Sequence, residues 1–221
     1  MRCTRLLRVS VLFGLLSAPS MATAQEQSPF TNSWFWGAKG GLLVMHTEIG
    51  QTNAPMIGAE WLITRSKWGL YIGLDQSYFD AVSTVADAPT TGITRRVDIR
   101  DMRRATAAMY FFPREFITIR PYAGIGVSLN YIVRAASQSN TFSTPTARDT
   151  VLARIEDAKT RASILTTLGL QWKMGKLAPF VQGTVMPTKG NTGFFLNGET
   201  FSYFIEAGLR YNFGSAIEVF R

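Results

Sequence analysis

Apolar and polar residues alternate along most of the chain beyond about residue 33, most cleanly in PYAGIGVSLNY. There Tyr122, Gly124, Gly126, Ser128 and Asn130 fall on one face, and Ala123, Ile125, Val127, Leu129 and Tyr131 on the other. A period of two is the signature of a β-strand. The same split sets Tyr203, Ile205, Ala207, Leu209, Tyr211 and Phe213 against Phe204, Glu206, Gly208, Arg210 and Asn212. It also sets Trp68, Leu70, Ile72 and Leu74 against Gly69, Tyr71, Gly73 and Asp75. Eight such segments are expected, at about residues 34 to 46, 54 to 63, 68 to 81, 94 to 112, 119 to 134, 157 to 172, 177 to 188 and 199 to 213.

The connections alternate in length. Short turns are expected at Thr64 to Lys67, Pro113 to Thr118 and Lys173 to Lys176, and longer loops at 47 to 53, 82 to 93, 135 to 156 and 189 to 198. Both ends of the alternating region then lie on the short-turn side. An even number of antiparallel strands with this asymmetry is the arrangement of a bacterial outer-membrane barrel. Each segment meets the roughly 9 to 11 residues a tilted strand needs to cross a bilayer. Only helices and closed barrels satisfy every backbone group in lipid. The expected fold is therefore all-β, an eight-stranded antiparallel transmembrane β-barrel over residues 33 to 213. No linker or low-complexity tract offers a second domain a place to begin.

Alternation alone also fits a soluble barrel or sandwich with the apolar face as its core. The second face favours the membrane, because it is rich in Gly and Ser and suits a narrow lumen. Trp34, Trp36, Trp61, Trp68, Phe111, Trp172, Tyr211 and Phe213 gather near the short-turn side, as interfacial aromatics do. Charged residues make up 17% of the 221, below the roughly 25% of an ordinary soluble domain. The 46% hydrophobic content excludes a disordered chain. No apolar run approaches the roughly 18 residues of a membrane-spanning helix.

The amino terminus reads as an export signal. Arg2, Arg5 and Arg8 precede an apolar stretch from Val9 to Leu16, and Ala22-Thr23-Ala24 supplies an A-x-A cleavage site before Gln25. Residues 1 to 24 are expected to be removed, leaving 25 to 32 as a short segment before the barrel. The formal charge of +8 loses the three leader arginines and falls to +5, and an exported chain has little access to nucleic acid. The one cysteine, Cys3, lies in the leader, so stability cannot rest on a disulfide.

In EAGLRYNF, Glu206, Gly208, Tyr211 and Phe213 fall in the polar, Gly, aromatic, aromatic order by which outer-membrane barrels are recognised for assembly. With PYAGIGV, the TLGLQWKMGKLAPFVQ hairpin and the export signal, the chain resembles the small eight-stranded outer-membrane β-barrel family, the OmpA/OmpX-like type, over nearly all of residues 33 to 213. The resemblance implies the outer membrane of a Gram-negative cell, with outer-membrane lipid, lipopolysaccharide and the barrel assembly machinery as partners. It leaves any partner of the outer loops unnamed. One departure is the extension Gly214 to Arg221, since family members often end at the final aromatic. The superfamily includes adhesins, structural proteins and a few enzymes, so the resemblance specifies architecture more than activity.

Strand parity directs Lys39, Glu60, Asp75, Arg104, Glu206 and Arg210 into the middle and lower lumen, three of each sign. Arg134 and Arg161 share that parity at the outer ends. Charges in a narrow interior must be paired or hydrated, so an ion-pair network is expected. A conduction path is the alternative, although eight strands leave an interior only just wide enough for side chains. Arg95, Arg96, Arg100, Arg103 and Arg104 crowd the outer half of strand four, with Asp98 and Asp101 between them. Arg95 and Arg103 are candidates for contact with lipopolysaccharide phosphates, which suit a planar guanidinium; a solvated loop base with local Asp pairing is the other reading. His46, the only histidine, sits near the outer rim, the level at which lipid A-modifying barrels carry catalytic residues. No G-x-S-x-G accompanies it, and no P-loop, dinucleotide fingerprint or metal-ligand cluster is present. Neither catalysis nor a cofactor is expected. A structural or surface-interaction role is the primary reading, with a narrow pore and a lipid A-modifying enzyme as alternatives.

Overall fold

A computed structural model describes residues 32 to 86, 94 to 113, 118 to 139, 141 to 142, 144 to 188 and 194 to 215. The expected export signal, residues 25 to 31 of the segment after it, and residues 216 to 221 of the extension lie outside the described residues. Eight strands form: β1 (Ser33–His46), β2 (Gln51–Arg65), β3 (Trp68–Ala86), β4 (Thr94–Phe111), β5 (Ile119–Ser137), β6 (Thr160–Trp172), β7 (Leu177–Pro187) and β8 (Phe201–Ser215). Each pairs antiparallel with the next, and β8 pairs back with β1 to close the barrel. On the short-turn side Ser66 and Lys67 alone connect β2 to β3, and Arg65 faces Trp68 across the hairpin. In the turn between β6 and β7, Gly175 takes a φ of 64° between the bridged Met174 and Leu177, a conformation that favours glycine.

The two faces are inverted relative to a water-soluble protein. Leu74, Ile125, Leu168 and Ile205 point outward and are 58 to 64% exposed, while Lys39, Glu60, Asp75, Arg104, Glu206 and Arg210 point inward and are at most 6% exposed. Apolar side chains cover the outside of all eight strands, far more than the few hundred Å² a soluble monomer leaves contiguous. A soluble barrel would carry the apolar face inside; this one carries it outside, as a transmembrane barrel does. Aromatic girdles bound the band. On the short-turn side Trp61 packs against both Trp34 and Trp36, Trp68 against Phe111, and Tyr211 against Phe213. The opposite girdle is formed by Tyr78, Tyr131, Phe201 and Tyr203; alternation placed Tyr131 and Tyr203 on the outward face without marking them as a girdle.

Three features differ from expectation. The strands are longer on the outer side, β3 reaching Ala86 and β5 reaching Ser137, so the sheet stands above the band. Second, the expected loop over 135 to 156 holds a helix, α1 (Pro145–Asp157). Thr144 caps it by accepting from the Ala147 amide at 3.1 Å, and Pro145 opens it, where a missing N–H is harmless. Third, Asp101 takes a φ of 55°, and the β3–β4 register shifts between Ser77 and Asp80, a β-bulge. Above it the inward parity of β4 changes from Arg104 and Met102 to Ile99 and Val97. The paired part of β5 follows, so Arg134 is exposed and not lumenal as parity suggested, whereas Arg161 keeps its inward parity and is half-buried.

Candidate functional site: the filled lumen and the outer rim

The lumen is packed in three layers. The lowest is aromatic, with Phe35, Tyr71, Tyr110, Phe112 and Tyr122 buried together. Tyr71 stacks on Tyr110 with centroids 4.7 Å apart, and Tyr110 on Tyr122 at 5.0 Å. Two of these rings fit only because small residues lie beneath them: a Cβ on Gly124 would stand 2.3 Å from the Tyr110 ring, and one on Gly169 would stand 2.3 Å from Tyr122. Arg120 closes this end, donating to the Ser66 carbonyl at 2.8 Å with its guanidinium 4.1 Å from the Phe112 ring centroid. Arg120 shares the inward parity of Tyr122, so alternation alone marked it, yet the sequence reading passed over it.

The middle layer contains all six charges assigned to the lumen. Lys39 Nζ lies 2.8 Å from Asp75 Oδ1 and 3.0 Å from Glu206 Oε1. Arg104 bridges the same two carboxylates, its Nη2 2.6 Å from Asp75 Oδ2 and 2.7 Å from Glu206 Oε1. Lower down, Arg210 Nε donates to Glu60 Oε1 at 2.5 Å, and its Nη1 donates to Gln171 Oε1 at 2.8 Å. Neutral groups complete the layer. Gln182 Nε2 donates to Glu206 Oε2 and its Oε1 accepts from the Tyr122 hydroxyl at 2.8 Å, while Lys39 Nζ also donates to the Tyr71 hydroxyl at 2.7 Å. The Arg210 guanidinium stacks 3.9 Å from the Phe180 ring centroid, and that of Arg104 3.7 Å from Phe204. Gln171, Gln182 and the tyrosines were missed because a search for charge ignores neutral hydrogen-bonding partners. Their inward parity was the available signal.

The upper layer is apolar. Leu43, Met45, Met56, Val97, Ile99, Met102, Ile132 and Met186 line it, and Val151 and Ile155 of α1 with Phe194, Phe195 and Leu196 fill it from above. Ser83 donates to the Phe195 carbonyl at 2.9 Å, fixing that segment to the β3 extension. The mouth of the barrel is thus stoppered by its own loops.

The structure separates the two arginines assigned to lipopolysaccharide. Arg95 folds onto the outer loop, donating to the Ser139 and Thr141 carbonyls at 2.7 and 3.1 Å and stacking on Phe142. Arg103 faces outward beside Tyr131 in the outer girdle, and its Nε donates to Gln76 Oε1 at 3.1 Å. His46 sits at the top of β1, and its Nδ1 is buried without a hydrogen-bond partner; no serine or carboxylate of the described residues bonds to it. The residues of the assembly motif divide between faces. Glu206 points into the lumen, Tyr211 and Phe213 point outward, and Gly208 leaves room for the Phe180 ring, which a Cβ there would approach to 2.7 Å. β8 continues to Ser215, two residues into the expected extension.

No family model matches the sequence, and no curated protein matches it. Among solved structures, neisserial surface protein A (NspA) gives a TM-score of 0.55 at 12% identity, covering 81% of this chain and 97% of that one. Ail, the attachment invasion locus protein of Yersinia pestis, gives 0.45 at 10% identity over 83% of this chain and 99% of that one. The outer membrane protein OprG from Pseudomonas aeruginosa gives 0.44 at 13% identity over 84% and 98%. At 12% identity the likeness to NspA is one of fold, and the fold is that of the small eight-stranded outer-membrane β-barrels.

Proposed function

We propose that the chain is an exported outer-membrane barrel of a Gram-negative cell with a structural or surface-interaction role, and that its lumen does not conduct. The observation that carries this reading is the filled interior. The six lumenal ions are paired with one another, and aromatic and apolar layers lie below and above them. An ion entering this path would have to displace protein partners for which it offers no substitute. The outward apolar band and its two girdles support insertion in a bilayer, and the arrangement of Glu206, Gly208, Tyr211 and Phe213 supports recognition by the barrel assembly machinery. The outer extensions of β3, β4 and β5 with α1 present a structured surface to the outside, which supports an interaction role. The test is electrical. Purified protein in planar bilayers should give no reproducible unitary conductance, and steady discrete steps that vanish on heat denaturation would favour the narrow pore instead.

A further inference from the structure

We propose that the outer end of the molecule carries a binding site for a small apolar cation, a protonated amine on an apolar body, in the cavity between the carboxyl end of α1, the outer end of β3 and the segment before β8. The cavity has a volume of about 520 Å³, within the roughly 300 to 1,000 Å³ typical of small-molecule sites. Val85 and Ala86 of β3, Ala158, Phe194 and Phe195 give it an apolar wall. Phe194 and Phe195 belong to the buried core of the stopper, and Ser83 holds the Phe195 carbonyl, so this wall is preformed. On β3, Val85 and Ala86 stand beyond Tyr78 of the outer girdle, which sets the site above the lipid-facing band and apart from the charged lumen.

The polar wall is acidic, although the chain as a whole carries a formal charge of +8. Glu48, Asp157 and Arg154 line it, two acids against one base. Arg154 directs Nη1 to the Ala86 carbonyl at 2.9 Å and forms no ion pair with either acid among the described residues. Asp157 is the last residue of α1, where the helix dipole disfavours a negative charge. Its neighbour Glu156 is balanced by Lys159 at 3.1 Å, but Asp157 has no hydrogen bond or ion pair among the described residues. Glu48 accepts from the Thr84 hydroxyl and from Asn197 Nδ2, the latter at 3.0 Å; both donors are neutral, so they orient the carboxylate and leave its charge uncompensated. The other end of that amide, Asn197 Oδ1, is buried with no donor, a cost that a ligand N–H would remove. An ammonium brings a positive charge and three donors, which answers the surplus of acceptors at Asp157, Glu48 and Asn197 together. An anion would meet two carboxylates, and a neutral apolar molecule would leave Asn197 Oδ1 unpaired.

Isothermal titration of the full mature protein in phosphatidylcholine nanodiscs, with empty nanodiscs as the reference, tests the site. 2-Phenylethylamine should bind at one saturable site, and phenylacetate, with the same ring and the opposite charge, should bind roughly tenfold more weakly or worse. Asp157→Asn should weaken the amine by roughly tenfold, whereas Asp149→Asn, on the same helix but outside the cavity, should leave it unchanged. Ala86→Trp, which puts a large ring in the cavity without altering a charge, should abolish binding in a barrel that keeps its heat-modifiable form. Absence of saturable amine binding or equal binding of the two probes would overturn the proposal, as would an Asp157→Asn or Ala86→Trp barrel that binds like wild type.

Discussion

Glu206 accepts from Lys39, Arg104, Gln182 and Thr184 at once, which makes it the centre of the upper half of the charged layer. Removing it leaves Lys39 and Arg104 competing for Asp75 alone. Breaking a buried pair typically costs about 3 to 5 kcal/mol, so Glu206→Ala should lower the urea midpoint of the folded barrel far more than truncation of an outer-rim residue such as Arg96. The lower pair is separable. Arg210 bonds to Glu60 and Gln171 rather than to the carboxylates that hold Lys39 and Arg104, and a Glu60→Ala, Arg210→Ala double-mutant cycle should show a coupling of about 1 kcal/mol or more. Additive losses would mean that the two side chains do not meet. Below any bulge, the six lumenal charges were legible from parity alone, because a period of two assigns every residue to a face. Arg134 was not, because nothing in the run Arg100-Asp101-Met102-Arg103-Arg104 announces that Asp101 adopts positive φ, a conformation Asp tolerates better than most residues.

At the scale of elements, β8 and α1 carry the two claims most open to experiment. β8 closes the sheet on β1 and β7, and at its end the register with β1 passes over Phe213, whose ring lies against Tyr211 on the lipid side. Phe213→Ala should reduce outer-membrane insertion while leaving export intact, measured as loss of the heat-modifiable form with signal cleavage unchanged. Normal insertion would mean that the assembly signal lies elsewhere, for instance at Phe220. The helix was legible only at its start, in Thr144 and Pro145, a cap followed by a helix opener. Its buried positions, Val151 and Ile155, with Ala158 just past its end, are too few for periodicity to stand out in a loop. They complete a core whose other members come from strands distant in sequence. Ile155→Asp should therefore unpack the stopper, raising proteolytic cleavage near residue 150 on intact cells without affecting insertion. Unchanged protease resistance would show that α1 is not held by that core.

For the whole molecule, the central claim is that the barrel is turned inside out relative to a soluble protein, with lipid outside and a packed polar layer within. The alternating pattern, the strand count and the short-turn asymmetry made this architecture readable. What they could not supply was which face meets lipid, since the same alternation builds a soluble sandwich. Neighbouring positions on β6 separate the two cases: Leu168 points outward at 64% exposure, and Thr167 points inward, bonded to Thr184. The most direct measurement is power saturation of a nitroxide attached at residue 168 in the protein reconstituted into bilayers. The account predicts strong collisional relaxation by dissolved oxygen and almost none by a water-soluble nickel chelate, the signature of a site in hydrocarbon. Relaxation by the chelate exceeding that by oxygen would place Leu168 in water and contradict it.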